Sequence, residues 1–438
     1  MRKMPLAIWA MVLGAFAMGA DEFIVAGVVR EIADALEVSI GAVGHLESVY
    51  ALGVAIGAPV FTALGTRFGR RPMLLLTTGV FLLGNLISAL GPGYEVIMTG
   101  RIVSAMAHGA FLGIAAVFAA ELVDRARKGR AVAVVFSGLT ASTILGAPIG
   151  AAVGQAFGWR FTFWTLVIFG GLALLGLLAA LPRVAAPRTV QHEHHDHQEH
   201  HHAPAGAEFE GLDAHALAHL GGGGQGPSMR EQMAALKRPA VWGALLTTML
   251  GYGGVFTSYV YIAPQLTEIT GFSPAWVTPL LLLFGVGLFA GNTLGGRLAD
   301  KEIMPAVLGT LGALAIALFA MNVAIESKVA TVAMMLLFGT AAFAVVAPLQ
   351  LRVMAAAGHA PDVASAANIS AFTLGSAIGI YLGGAAIDGG LGLSSVNWVG
   401  GLLTSAGLVA ALITWAAIDR RQPVPAHHHD PEPVAHRH

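Results

Sequence analysis

The 438-residue chain contains no cysteine and little charge, with Asp, Glu, Lys and Arg together at 11%. The first absence excludes disulfides, thiolate metal sites and a cysteine nucleophile. The second excludes an ordinary soluble domain, in which about 25% of residues are charged. A formal net charge of -1 supplies no field for a nucleic-acid partner. HExxH, GxxxxGK[ST] and GxSxG are also missing, so nothing indicates metal hydrolysis, direct use of ATP or acyl chemistry. The chain therefore does not read as an enzyme, no cofactor is implied, and an ion gradient is the remaining energy source.

What is present is apolar: 56% of residues are hydrophobic and the mean hydropathy is +0.72. A bilayer-spanning helix needs about 20 apolar residues. Twelve such segments occur, near 6-29, 42-64, 73-91, 95-120, 131-156, 161-181, 240-264, 275-297, 303-322, 329-352, 366-387 and 396-417. The first begins like a signal peptide, but its apolar pattern resumes at Phe23 and completes a span, so it reads as the first transmembrane helix. With the N-terminus inside, only Arg30, Arg160 and Lys328 fall in outer loops and Arg101 lies within a helix; the other Lys and Arg of the 24 are cytoplasmic. Both termini are thus expected in the cytoplasm of an all-α, multi-pass protein of the cell inner membrane.

One long polar interruption, residues 183-239, splits the spans six and six, giving bundles over 1-182 and 240-420 and a histidine-rich tail over 421-438. A segment so poor in apolar residues cannot offset chain entropy, and the linker is expected to be disordered. The halves look duplicated. LGTRFGRR (Leu64 to Arg71) recurs as LGGRLADK (Leu294 to Lys301) 230 positions later, and Gly146, Gly150 and Gly154 recur as Gly375, Gly379 and Gly383 at an offset of 229. Glycines four apart form one stripe on a helix and admit a close neighbour, and Pro148 adds a kink. The corner charges Arg67, Arg70 and Arg71 around Gly69, and Arg297 with Asp300, are candidate latches between conformations.

These motifs resemble the major facilitator superfamily, and within it the twelve-helix drug/proton antiporter branch that includes arabinose-efflux-like permeases. Leu64, Arg67, Gly69, Arg70 and Arg71 match the loop signature, with Thr66 where the family has Asp. Arg101 and Gly109 in RIVSAMAHGAF match the fourth-span signature. Gly138, Gly146, Pro148 and Gly150 look like the antiporter signature of the fifth span, and DEFIVAGVV looks like the first-span pattern with Glu22 as its acid. PLQLRVM and ASAANISAFTLGSAIG in the tenth and eleventh spans are similar to this branch as well. The resemblance implies two pseudo-symmetric six-helix bundles, the major facilitator fold, exchanging a small-molecule substrate for protons by alternating access. A monomer among membrane lipids is expected.

Asp21 and Glu22 lie inside the first span, where each carboxylate costs about 2.5 kcal/mol or more at the bilayer centre. At 1.5 Å per residue they sit roughly 22 to 24 Å up the helix, and Arg101 lies at a similar depth on the descending fourth span. Arg101, Ser104 and His108 share one helical face. The implied fold brings the first and fourth helices to one cavity. There, Asp21 or Glu22 would accept the proton, Arg101 would be the counter-charge, and His108 a second titrating or substrate-binding group. His45 and Glu47 open the second span, where interfacial solvation accounts for them.

Fourteen of the 17 histidines lie in the linker and the tail, including His192, His194, His195, His197, His200, His201 and His202. Interleaved with Glu193, Asp196 and Glu199 they suit weak, exchangeable binding of transition metals. They support an alternative cargo, a divalent metal or metal chelate, with linker and tail as ion buffer. For an organic cargo (a drug, a sugar or a nucleoside-like compound), Tyr252, Tyr259, Tyr261, Asn292, Gln350 and Asn368 are the candidate cavity wall.

Overall fold

The computed structural model describes residues 4-65, 68-124, 127-181, 229-358 and 361-417. Twelve helices among them are long and apolar enough to cross a membrane. The first half contains α1 (Leu6–Phe23), α2 (Ile40–Gly65), α3 (Arg70–Leu90), α4 (Tyr94–Glu121), α5 (Lys128–Phe157) and α6 (Arg160–Ala180). The second contains α7 (Pro239–Tyr259), α8 (Val277–Lys301), α9 (Ile303–Ala324), α10 (Lys328–Ala357, interrupted at Val345), α11 (Pro361–Ala386) and α12 (Ser395–Ala417). No strand occurs among the described residues. Large apolar side chains face outward, with Val329 83%, Ile316 70% and Val323 70% exposed. Water would penalise that surface, whereas lipid tails are its natural solvent.

The helix pairings repeat across the halves. In the first half α1 packs on α5 and α6, α2 on α4, and α3 on α4 and α6. Adding six to each number gives the second set, in which α7 packs on α11 and α12, α8 on α10, and α9 on α10 and α12. The two seams between halves, α2 with α11 and α5 with α8, exchange under the same operation. An approximate two-fold relation follows directly from the spacing of the duplicated motifs.

Glycine determines how close the helices come. On α5, Gly138 meets the backbone of Val12, Gly146 that of Ala20 and Gly150 that of Ile24, all on or just beyond α1. On α11, Gly375, Gly379 and Gly383 meet Met249, Gly253 and Thr257 of α7 in the same manner. A methyl group at Gly146 would stand 3.0 Å from Cβ of Phe23 and 3.3 Å from Cα of Ala20. Pro148 lies buried within α5, between two of these contacts.

Two differences from the sequence expectation go beyond shifts of helix ends. The seventh span ends at Tyr259 rather than at residue 264, and the chain continues through Ile262–Pro264 into a wide turn, Gln265–Ile269. A closed polar triangle holds that break. Ser258 donates to Oδ1 of Asn397 at 2.6 Å, Asn397 donates to Oε1 of Gln265 at 2.7 Å, and Gln265 donates to the Ser258 carbonyl at 3.4 Å. The second difference is Met229–Ala235, a helix within the segment read as linker; Ala235 is buried there in a cluster with residues of α7, α10 and α11.

Candidate functional site: a buried arginine and two carboxylates

Three close helix approaches build the site. Gly146 and Gly150 of α5 support α1 from behind, so Asp21 faces α3 and α4. Gly84 of α3 and Gly100 of α4 lie against each other, which brings Asn85 alongside. Gly53 and Gly57 of α2 rest on Ala105 and Met106 of α4, which carries Glu47 and Tyr50 onto Arg101. Small residues thus let polar side chains meet where lipid offers no partner.

At the centre, Arg101 is fully buried. Its Nη1 donates to Oδ1 of Asp21, and both Nη atoms donate to the Asp21 carbonyl at 3.1 Å. Nη2 also donates to Oε1 of Glu47 at 2.5 Å. Asn85 donates to the other Asp21 oxygen, Oδ2, at 3.0 Å. The guanidinium lies over the ring of Tyr50, 4.0 Å from its centroid, an arrangement that favours a desolvated cation. The Tyr50 hydroxyl in turn stands 3.0 Å from Nδ1 of His108.

Exposure of Asp21, Asn85, Tyr50, Glu47 and His108 does not exceed 3%. One guanidinium therefore faces two carboxylates out of water. With both ionised the set carries a surplus negative charge, and burying such a surplus is costly. One added proton restores neutrality.

The predicted residues separate into those gathered here and those placed elsewhere. Asp21, Arg101 and His108 belong to one connected set. Ser104 is buried beside them, but its hydroxyl donates to the Arg101 carbonyl at 3.2 Å and its backbone packs on Gly84. Glu22 is turned about 100° from Asp21 around the helix axis; it is half-buried and makes no hydrogen bond among the described residues. It lies within electrostatic range of Arg101 and Asp21, and also of Tyr252 and Tyr259 of the second half.

Beside Glu22, the side chains Phe23, Val255, Phe256, Tyr259, Phe284, Leu288 and Phe343 surround a small apolar void of about 10 Å³. Of the remaining wall candidates, Tyr252 stacks edge-on with Phe372 at 4.7 Å, and Tyr261 is fully buried and donates to the Ile380 carbonyl at 2.9 Å. Gln350 and Asn368 are tied to each other at 2.7 Å, and Asn292 is half-buried on α8.

Glu47 requires correction. Its place near the start of α2 suggested interfacial solvation, yet it is 3% exposed and bonded to Arg101, because α2 leans on α4 along Gly53 and Gly57. His45 stacks on Tyr381 of α11 at 5.1 Å, across the seam between halves. Sequence reading also passed over Tyr50 and Asn85. Both carried a signal: Tyr50 follows Glu47 at i+3, and Asn85 is an amide inside an apolar span, where polar groups are rare.

The halves are joined at the end of the bundle that carries Arg30. Arg30 pairs with Asp34 at 3.0 Å and, across the boundary, with Glu268 at 2.5 Å. The hydrogen bond that Arg30 donates to Asp34 raises the Arg30 pKa further above its ordinary value, although partial burial opposes this. Ser48 donates to the Ala377 carbonyl at 3.0 Å and Gln155 to that of Pro274 at 2.7 Å. Phe23 packs on Phe256 and Tyr259 at 6.0 and 5.9 Å.

At the opposite end Gly69 precedes α3, and Arg70 pairs with Glu121 of α4. Arg71 opens the same helix half-buried, while Arg297 and Asp300 are exposed on α8 and unengaged among the described residues. Arg67 and His192 to His202 lie outside the described residues.

A family model described as Major Facilitator Superfamily matches residues 11–380. The chain belongs to the Major Facilitator Superfamily. It is thus a multi-pass membrane transporter and not an enzyme. Similar proteins include the inner membrane transport protein YdhP of Escherichia coli K12, 38% identical over 421 residues, covering 96% of this chain and 98% of the relative. The chloramphenicol resistance protein of Streptomyces lividans is 32% identical over 410 residues, covering 93% and 96%. The putative transporter AraJ of E. coli K12 is 30% identical over 421 residues, covering 96% and 97%. Among solved structures, a partially occluded inward open conformation of the E. coli xylose transporter XylE superposes with a TM-score of 0.65 at 17% identity, covering 94% and 99%. That likeness is one of fold.

Proposed function

We propose that this transporter is a proton-coupled antiporter of the inner membrane, acting as a monomer with both termini in the cytoplasm, that exports small organic molecules by alternating access. The observation that carries the reading is the charge count at Arg101: two buried carboxylates, Asp21 and Glu47, on one guanidinium. Such a set favours one bound proton while sealed and releases it when water or a neighbouring charge relieves the surplus. On the positive-inside reading the Arg30 end is the outer one, and the contacts there would close the path on the outer side.

Glu22 and the aromatic cavity next to it belong to the cargo path, and the proton site lies one helical face away. Occupancy of one changes the field at the other, as exchange requires. Export of an organic compound is supported by the relative named a chloramphenicol resistance protein.

Everted vesicles holding the transporter, loaded by an imposed pH gradient and given chloramphenicol as probe, test the reading. Wild type should accumulate the probe only with the gradient, and Asp21→Asn with Glu47→Gln should abolish the gradient dependence. Unchanged gradient-driven accumulation in that double variant would sink it.

A further inference from the structure

Tyr50 and His108 form a buried polar pair that the charge count at Arg101 leaves out. His108 follows Arg101 by seven residues on α4, which places it about 10 Å farther along the axis, toward the Arg70 end. Tyr50 spans the gap: its ring lies under the guanidinium and its hydroxyl reaches Nδ1 of His108 at 3.0 Å and the Met18 carbonyl at 3.3 Å. One hydroxyl proton thus faces two acceptors.

With Nδ1 bare, Tyr50 can donate to the imidazole. With a proton on Nδ1, the imidazole donates to the phenol oxygen and the hydroxyl proton turns to Met18. Nothing else has to move.

Arg101, on the same helix, is the charge nearest in effect to His108, and Arg101 in turn interacts with Asp21 and Glu22 on α1 and Glu47 on α2. The charged side chains of α3 and α5, Arg70, Arg71, Lys128 and Arg130, stand in the first turn of those helices, at the Arg70 end. Counting Asp21, Glu47, Arg101 and His108 together, the set is neutral in two ways: with the proton on a carboxylate, or with both carboxylates ionised and the proton on His108. One proton can therefore occupy either of two positions along the membrane normal at the same net buried charge. The O–H bond of the acid breaks and an N–H bond at Nδ1 forms, with no other species consumed.

We propose that His108 is a second proton-binding site of the transport cycle, on the Arg70 side of the Arg101 cluster, and that Tyr50 is the positioning residue that couples the two. The proposal rests on the antiporter reading, and it accounts for how a proton held beside Arg101 is handed toward the opposite end of the bundle.

Magnetic resonance of isotopically labelled histidine, recorded on the full chain in lipid nanodiscs, tests it without any cargo; the His108 signal is identified by its loss in His108→Gln. The expected result is a neutral-to-imidazolium transition as the pH is lowered. Neutralising the cluster with Asp21→Asn and Glu47→Gln removes the surplus charge and should move that transition about one pH unit or more toward acid. In a Tyr50→Phe background the same double substitution should move it less than half as far. A His108 signal that stays neutral throughout, or a transition that stays put in the cluster variant, overturns the second site. A displacement undiminished by Tyr50→Phe overturns the role of Tyr50. The spectra contain no probe compound, so their failure is separate from loss of chloramphenicol accumulation in vesicles.

Discussion

Asn85 and Arg101 divide the Asp21 carboxylate between them: the amide donates to Oδ2 at 3.0 Å and the guanidinium holds Oδ1. Every oxygen of this buried acid therefore has a donor, one neutral and one charged. Removing the neutral donor by Asn85→Ala leaves Oδ2 without a partner, a loss worth about 1 to 3 kcal/mol. Thermal unfolding in detergent should show the drop. In Asp21→Asn the lost charge makes the amide matter less, so the double variant should be less destabilised than the sum of the singles. Additive effects would mean that the 3.0 Å contact contributes nothing to stability.

How much of this was legible in the sequence varies with the physical origin of each feature. The twelve spans came from length and hydropathy, and those depend on the chain alone. The glycine stripes of α5 and α11 were visible as spacing, and the duplication told which helices they would join. Asp21 and Arg101 stood out because a charge inside lipid is costly wherever it faces.

Glu47 was hidden because its burial is tertiary: seven residues into α2, it would be wet on an isolated helix, and it is dry only because α2 leans on α4. Tyr50 and Asn85 resemble routine interfacial and packing residues until their partners on other helices are placed. The break after Tyr259 has the same character, since the Ser258, Asn397 and Gln265 triangle joins segments 139 residues apart at its widest.

Glycine contacts make a graded prediction. A methyl group at Gly150 would meet the Ile24 carbonyl, whereas at Gly171 nothing lies within 4 Å. Gly150→Ala forces α1 and α5 apart and should cost about 1 to 3 kcal/mol. Gly171→Ala should be neutral or slightly stabilising, since Ala is the better helix former by about 1 kcal/mol. Unfolding temperatures of the two variants, compared in one detergent, check both signs.

The Arg30–Glu268 pair crosses between halves with side chains 47% and 38% exposed. Exposed pairs contribute about 1 kcal/mol at most, so its loss should raise the population of states parted at this end by no more than about fivefold. The absence of native cysteine allows a direct reading. Ser48→Cys places one thiol at the α2 to α11 seam, where the serine is 8% exposed, and a membrane-impermeant maleimide reports opening. Arg30→Glu should speed labelling, and Glu268→Arg added to it should restore the slow rate. Equal rates in all three would show that this pair does not hold the end closed.

Arg101 uses the geometry of its fork as well as its charge. Nη1 serves Asp21 and Nη2 serves Glu47, two acceptors on different helices. The ammonium group of lysine is a compact point charge that cannot span both with the same planarity or stack on Tyr50. Arg101→Lys should therefore fold but lose at least about tenfold in gradient-driven transport, equivalent to about 1.4 kcal/mol. Arg101→Met leaves two buried carboxylates without a cation and should lower expression of folded protein sharply, because removing one partner of a buried pair costs about 3 to 5 kcal/mol. Adding Asp21→Asn and Glu47→Gln to Arg101→Met removes the uncompensated charge and should recover folding without recovering transport. Size-exclusion profiles and vesicle uptake on the same preparations separate the two effects. A triple variant as poorly folded as Arg101→Met would show that the arginine is needed for its packing on Tyr50, and that the surplus charge is not what destabilises the single variant.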